Sequence, residues 1–251
     1  MPSDATFIPA QYRYPYQTIA AATRRRLRRV SQGVIALIAL AATCCASAAT
    51  VGDTWVYRVI NGFNGETAGH VRHEISPAST ANGVVVEVTP DNRALGLPRT
   101  EMLTPDGQWL RHPLDNHGLA TEYEFTPALP AVSPAQGKSW SVRVKARAAG
   151  ADYARSVRID GEVLRSERIR VPAGEFDTLK IRRIIYPGDA GDFKTETRID
   201  EIDWFAPALG RSVRTETRSS WRQSQACRRG YCTYNGDWHI SELIQAPTAA
   251  R

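Results

Sequence analysis

The chain has 251 residues, with 32 basic and 26 acidic side chains and a formal net charge of +6. Residues 1–48 hold six of the basic side chains and, among the acidic ones, only Asp4. The remaining 203 residues are therefore close to neutral, which removes the electrostatic case for nucleic-acid binding, and they suffice for one sizeable β domain or two small ones.

The first feature along the chain is a leader. Arg13 and the cluster Arg24, Arg25, Arg26, Arg28 and Arg29 precede the apolar run Val34 to Ala42, and Ala46-Ser47-Ala48 follows. That order is the one of a secretory signal peptide, with cleavage expected after Ala48. The apolar run is shorter than the ~20 residues that span a bilayer, so cleavage is favoured over a membrane anchor. Cys44 and Cys45 raise a lipid-anchored alternative, which ranks second because Thr43 stands where a lipoprotein signal places Gly, Ala or Ser. The expected location is periplasmic or secreted.

Beyond the leader, apolar and polar side chains alternate. Runs of this type lie at 54–60, 68–75, 83–89, 99–104, 139–146, 155–171, 178–186, 193–203, 212–221 and 237–244. In the run from Ser212 to Trp221, Val213, Thr215, Thr217, Ser219 and Trp221 share one face, and Arg214, Glu216 and Arg218 share the other, as in a half-buried strand. Asn61-Gly62, Pro90-Asp91-Asn92, Pro105-Asp106-Gly107, Pro187-Gly188 and Asn235-Gly236 supply turn residues between runs. The segment 112–137 breaks the rhythm with four prolines and is expected to be a linker or cover loop around a short strand at 122–125. The predicted fold is all-β, an antiparallel meander forming a curved open sheet, a half-barrel or a sandwich within a single domain, 49–251.

Two stretches resemble each other across that linker. Gly52-Asp-Thr-Trp55-Val-Tyr-Arg-Val59 aligns without gaps on Gly137-Lys-Ser-Trp140-Ser-Val-Arg-Val144, and His70-Val71-Arg72 is matched by Ser156-Val157-Arg158. The turns at 105–107 and 207–210 are a further candidate equivalence. The reading is an internal duplication, with halves 50–111 and 137–244.

Val171-Pro-Ala-Gly174 forms a turn on chemical grounds. Pro172 and Ala173 suit the centre of a type I turn, and Gly174 accepts the positive φ that follows. Together with Glu175-Phe176 and with Trp204-Phe-Ala-Pro207-Ala-Leu-Gly210, this stretch resembles the V-P-A-G-x-F and W-[FY]-A-P-x-L-G signature of secreted bacterial β-sheet proteins classed as domains of unknown function. The resemblance runs over roughly 50–244. It implies export and a curved antiparallel sheet similar to the half-barrel of periplasmic lipoprotein carriers, and it implies no catalytic residue.

No catalytic, cofactor or metal constellation emerges. His70 and His73 point to opposite faces of a strand, and His112 and His117 flank the proline-rich segment. Glu196, Asp200, Glu201 and Asp203 near Trp204 are the candidate residues of a hydrolase, weighed against charges that face Arg211, Arg214 and Arg218. The row Arg214, Arg218, Arg222, Arg228 and Arg229 reads as a solvated ladder. Cys227 and Cys232, separated by a four-residue spacer within an exported chain, are expected to form a hairpin disulfide. The function expected is a non-enzymatic binding or carrier module for a lipid or other hydrophobic or amphipathic envelope ligand. An assembly module that binds an envelope protein through an exposed sheet edge or the arginine face is the alternative.

Overall fold

The computed structural model describes residues 50–81, 83–105, 108–114, 122–129, 138–148, 150–188, 195–223 and 232–247. The proposed signal peptide, His117, Arg228, Arg229 and Cys227 lie outside them. Twelve strands run in chain order: β1 (Thr54–Asn61), β2 (Thr67–Ile75), β3 (Val84–Pro90), β4 (Arg99–Leu103), β5 (Trp109–Pro113), β6 (Glu122–Leu129), β7 (Ser139–Ala148), β8 (Arg155–Val171), β9 (Gly174–Tyr186), β10 (Thr195–Ala206), β11 (Arg211–Gln223) and β12 (Cys232–Gln245).

Each strand pairs antiparallel with its neighbours in sequence, and β1 also pairs with β12, so the meander closes into a barrel. This corrects the expected open sheet, half-barrel or sandwich. Val56 to Asn61 of β1 lie in register with Gln245 to His239 of β12, which satisfies the two rows of backbone groups that an open sheet would leave bare. An exposed sheet edge is therefore not what a partner would meet between β1 and β12. Alternation along a strand reports which face is packed, and it is silent on whether the first and last strands meet.

Alternation does determine what faces inward. On β7, Val144 and Ala146 are buried while Ser141, Arg143, Lys145 and Arg147 are exposed. Two departures from the expected elements occur. β5, WLRHP, lies across the start of the stretch expected to be a linker, and it is too short and polar to show a period. Asn235-Gly236 is no turn but part of β12, beside a register shift between Arg218 and Ser220. A side chain at Gly236 would meet Ser219 Oγ, so glycine there admits a neighbouring strand.

The interior contains two apolar clusters. One gathers Trp55, Val59, Val71, Ile75, Val86, Val88, Val171, Val213 and Leu243, and the other gathers Leu114, Tyr123, Phe125, Val144, Ala146, Val157, Ile159, Ile185 and Ile199. The Pro172-Ala173 hairpin connects the two longest neighbours, β8 and β9, and carries Val171 into the first cluster. Its tip reaches past β10 and β11 to β12, where the Ala173 N–H donates to the Leu243 carbonyl at 3.1 Å. Gly174 has φ 139°, as the turn chemistry requires. The loop is thus a turn that also ties one end of the barrel together.

Trp140, Gly161, Arg183 and Glu201 form one row across β7, β8, β9 and β10. The Trp140 ring lies against Gly161, where an added Cβ would stand 2.1 Å from it. Gly161→Ala is expected to destabilise the protein by about 1–3 kcal/mol through overpacking. Adding Trp140→Leu should return much of that loss, measured as urea midpoints of the two variants.

The outer face is a lattice of ion pairs. Arg58 and Arg214 share Glu242, Arg182 meets Glu162, Arg218 meets Glu216, and Arg222 meets Glu196, all within 3.0 Å. Exposed pairs of this type contribute little stability each. They do place charge where a membrane-spanning barrel carries an apolar band, so the outer face is built for water.

Candidate functional site

Between the two apolar clusters the interior is charged. On β9, Ile181, Arg183 and Ile185 share the inward face, and on β10 Ile199, Glu201 and Asp203 do. Arg183 is 2% exposed, and its guanidinium donates to Glu201 Oε1 and, at 3.2 Å, to Asp203 Oδ2. Thr215 on β11 donates its hydroxyl to the other Asp203 oxygen at 2.9 Å. Burial works to lower the Arg183 pKa, and Glu201 and Asp203 outweigh it and raise it.

A second group stands on β4 and β5. Glu101 is 5% exposed and accepts from Arg99 Nε at 3.0 Å, with His112 Nδ1 3.2 Å from its other oxygen. Burial raises the Glu101 pKa, but His112, Arg99 and His73 more than offset this and hold it well below the usual carboxylate range. The Trp109 ring joins the two groups. It stacks on His112 with centroids 4.0 Å apart, and the Arg183 guanidinium lies 5.7 Å from its centroid.

A third set completes the belt from β1, β2 and β11. Tyr57 and His73 meet edge to face at 5.1 Å, Arg211 lies over the Trp55 ring at 4.0 Å, and the Tyr57 hydroxyl donates to the Ser212 carbonyl. Burial first, with Arg211 and Arg99 behind it, lowers the His73 pKa to about 3, so His73 is neutral at physiological pH. The belt holds Arg99, Arg183 and Arg211 against Glu101, Glu201 and Asp203, equal numbers of each sign. What this arrangement can do chemically is hold charge in place; its carboxylates accept hydrogen bonds from arginine rather than stand open to a substrate.

The candidate hydrolase residues are accordingly divided. Glu201 and Asp203 turn inward to Arg183, whereas Asp200 pairs with Arg198 and Glu196 with Arg222 on the outer face. His70 and His73 take opposite faces as expected, His70 pairing with the exposed Asp91. Of the arginine ladder, Arg214, Arg218 and Arg222 are paired with Glu242, Glu216 and Glu196, while Arg228 and Arg229 lie outside the described residues. Trp204 lies between Lys180 and Arg214 and donates Nε1 to Glu167, while Trp238 carries Arg218 at 3.7 Å and donates to Glu216. Cys232 opens β12 opposite Gln223, and its expected partner Cys227 is outside the described residues. Among the described residues no group of three or more His, Cys, Asp or Glu is arranged to hold a metal ion.

Sequence reasoning did not find the belt, although a signal existed. Arg183 lies in phase with Ile181 and Ile185, and Glu201 and Asp203 lie in phase with Ile199. Opposite charges on the apolar phase of two adjacent runs mark a buried ion pair.

No family model matches the chain, and no curated protein matches it. The chain is similar to two solved structures. One is a candidate lipoprotein from Parabacteroides distasonis, 14% identical, covering 78% of this chain and 95% of that one with a TM-score of 0.39. The other is a candidate exported protein with YmcC-like fold from Bacteroides fragilis, 14% identical, covering 80% and 97% with a TM-score of 0.44.

Proposed function

We propose that the chain is an exported, non-enzymatic module of the cell envelope that recognises an amphipathic envelope component with the outside of its barrel. The observation that supports this reading is the occupied interior. The zone between the apolar clusters, where the acyl chain of a carried lipid would run, is taken by Arg183, Glu101, Trp109 and their partners. Displacing them would leave buried charges unpaired, at several kcal/mol each. Two recesses of about 370 and 300 Å³ lie over outward side chains, the first over Ser141, Asp160, Glu162, Arg182 and Ile184 and the second over Asp200, Ile202, Glu216 and Arg218.

Native mass spectrometry of the protein purified from periplasm without detergent tests this. The expected spectrum is the bare chain beginning at Ala49, lighter by two hydrogens if Cys227 and Cys232 are joined. A stoichiometric lipid that survives desolvation would overturn the outer-surface reading in favour of an interior carrier.

A further inference from the structure

The ion-pair lattice of the outer face fails on one strand. On β8, β9, β10 and β11 the outward arginines have carboxylate partners, as in Arg158–Asp160, Arg182–Glu162, Arg198–Asp200 and Arg214–Glu242. On β7 the outward side chains after Ser141 are Arg143, Lys145 and Arg147, all exposed and none with a carboxylate partner among the described residues. The surroundings do not compensate. Arg143 stands directly opposite Arg158, a like-charge pairing that disfavours the isolated sheet. Lys145 faces Ser156 on β8 and Thr126 on β6. Arg147 is opposite Glu124, whose carboxylate is engaged by Arg111 at 2.7 Å.

The row has a direction. Residues two apart on a strand lie roughly 6–7 Å apart, so the three charges span about 13 Å of rigid surface. The row runs toward the β7–β8 hairpin, where Tyr153 is 76% exposed, more than Val51, Phe63 or Leu97. An amphipathic ring at the end of a cationic row matches a phospholipid surface, with the phosphates on the cations and the tyrosine at headgroup depth.

From this we infer that the outer face of β7 docks the barrel on an anionic phospholipid surface through Arg143, Lys145 and Arg147, with Tyr153 as the interfacial anchor. The inference deepens the proposed function by naming the amphipathic component as a membrane surface. Nothing is inserted beyond the hairpin tip, because the other outward faces are charged. Binding is electrostatic and falls with ionic strength.

The test is sedimentation of the periplasm-purified protein with vesicles of phosphatidylglycerol mixed into phosphatidylcholine, against vesicles of phosphatidylcholine alone. The protein is expected to partition onto the first and not the second. R143Q/K145Q/R147Q should cut the partition coefficient on the order of 100-fold. Tyr153→Ala should reduce it several-fold, and R72Q/R168Q/R198Q, which removes three exposed arginines that have carboxylate partners, should leave it within a factor of about three. All of these substitutions are on the surface, and unchanged circular dichroism verifies folding.

Equal partition of the β7 triple variant and the natural protein would overturn the inference. So would stronger displacement by inorganic phosphate than by chloride at matched ionic strength, which would mark a discrete phosphate site instead of a surface. Failure to bind anionic vesicles together with binding to an acidic polysaccharide would also overturn it. These outcomes are read on purified protein and vesicles. They are therefore separable from failure of the proposed function, which rests on what co-purifies with the chain.

Discussion

Arg183→Met is expected to destabilise the protein by about 3–5 kcal/mol, because it leaves Glu201 and Asp203 facing each other in the interior with their cation removed. For a domain of this size that corresponds to a fall of roughly 10 °C in Tm, read by circular dichroism. The triple variant R183M/E201Q/D203N separates charge from volume. If the loss stems from uncompensated carboxylates, neutralising them should restore a large part of it. If Arg183 matters only as bulk between Ile181 and Ile185, the triple variant should be no more stable than Arg183→Met.

Acidification is expected to have the next largest effect, in two stages. His73 is held down to about 3 by burial, with Arg211 and Arg99 adding to the effect and Glu101 opposing it, whereas the unfolded chain takes up its proton near 6.5. The unfolded state therefore binds more protons over that interval, and stability falls as pH drops from about 6.5 toward 3. By pH 4 the loss from this group is about 3 kcal/mol. Glu101 adds to it at lower pH. Its folded pKa is depressed, so the stability that it contributes is present above the ordinary carboxylate range and is lost as pH falls below it. Urea midpoints measured between pH 7 and pH 4 should therefore fall steadily in the natural protein. His73→Phe should flatten the upper part of that profile and leave the steepening below pH 4.5 in place. A profile unchanged by His73→Phe would show that other groups set the acid sensitivity.

The strands were largely legible because each is half packed and half wet. The eight residues from Ser141 to Ala148 name both faces of β7 with no other information. β5 was not legible, since a five-residue strand ending in Pro113 shows no period and depends on β4 and β6 for its pairing. Closure was not legible either, because it depends on strand count and stagger, which distribute over the whole sheet.

The candidate site shows the same limit. Arg183, Glu201 and Asp203 sit in phase with the buried Ile181, Ile185 and Ile199, yet a charged residue inside an apolar run reads as a surface position unless its partner is known. The partner of Arg183 is on the next strand, and the groups near Glu101 come from three strands. The twin Trp55 and Trp140 were legible and fall at the second positions of β1 and β7, the first strands of two successive sets of six. That placement is the one a duplication would give. Superposition of the sets Thr54–Leu129 and Ser139–Gln245 tests it.

Residue-resolved amide exchange on β1 is the most direct test of the closed barrel on which the proposed outer-surface function depends. If β1 is hydrogen-bonded to both β2 and β12, consecutive amides from Tyr57 to Ile60 should all be protected to a similar degree, including those that point toward β12. Alternate amides that exchange at unprotected rates would mean that β1 is an edge and that the barrel is open between β1 and β12.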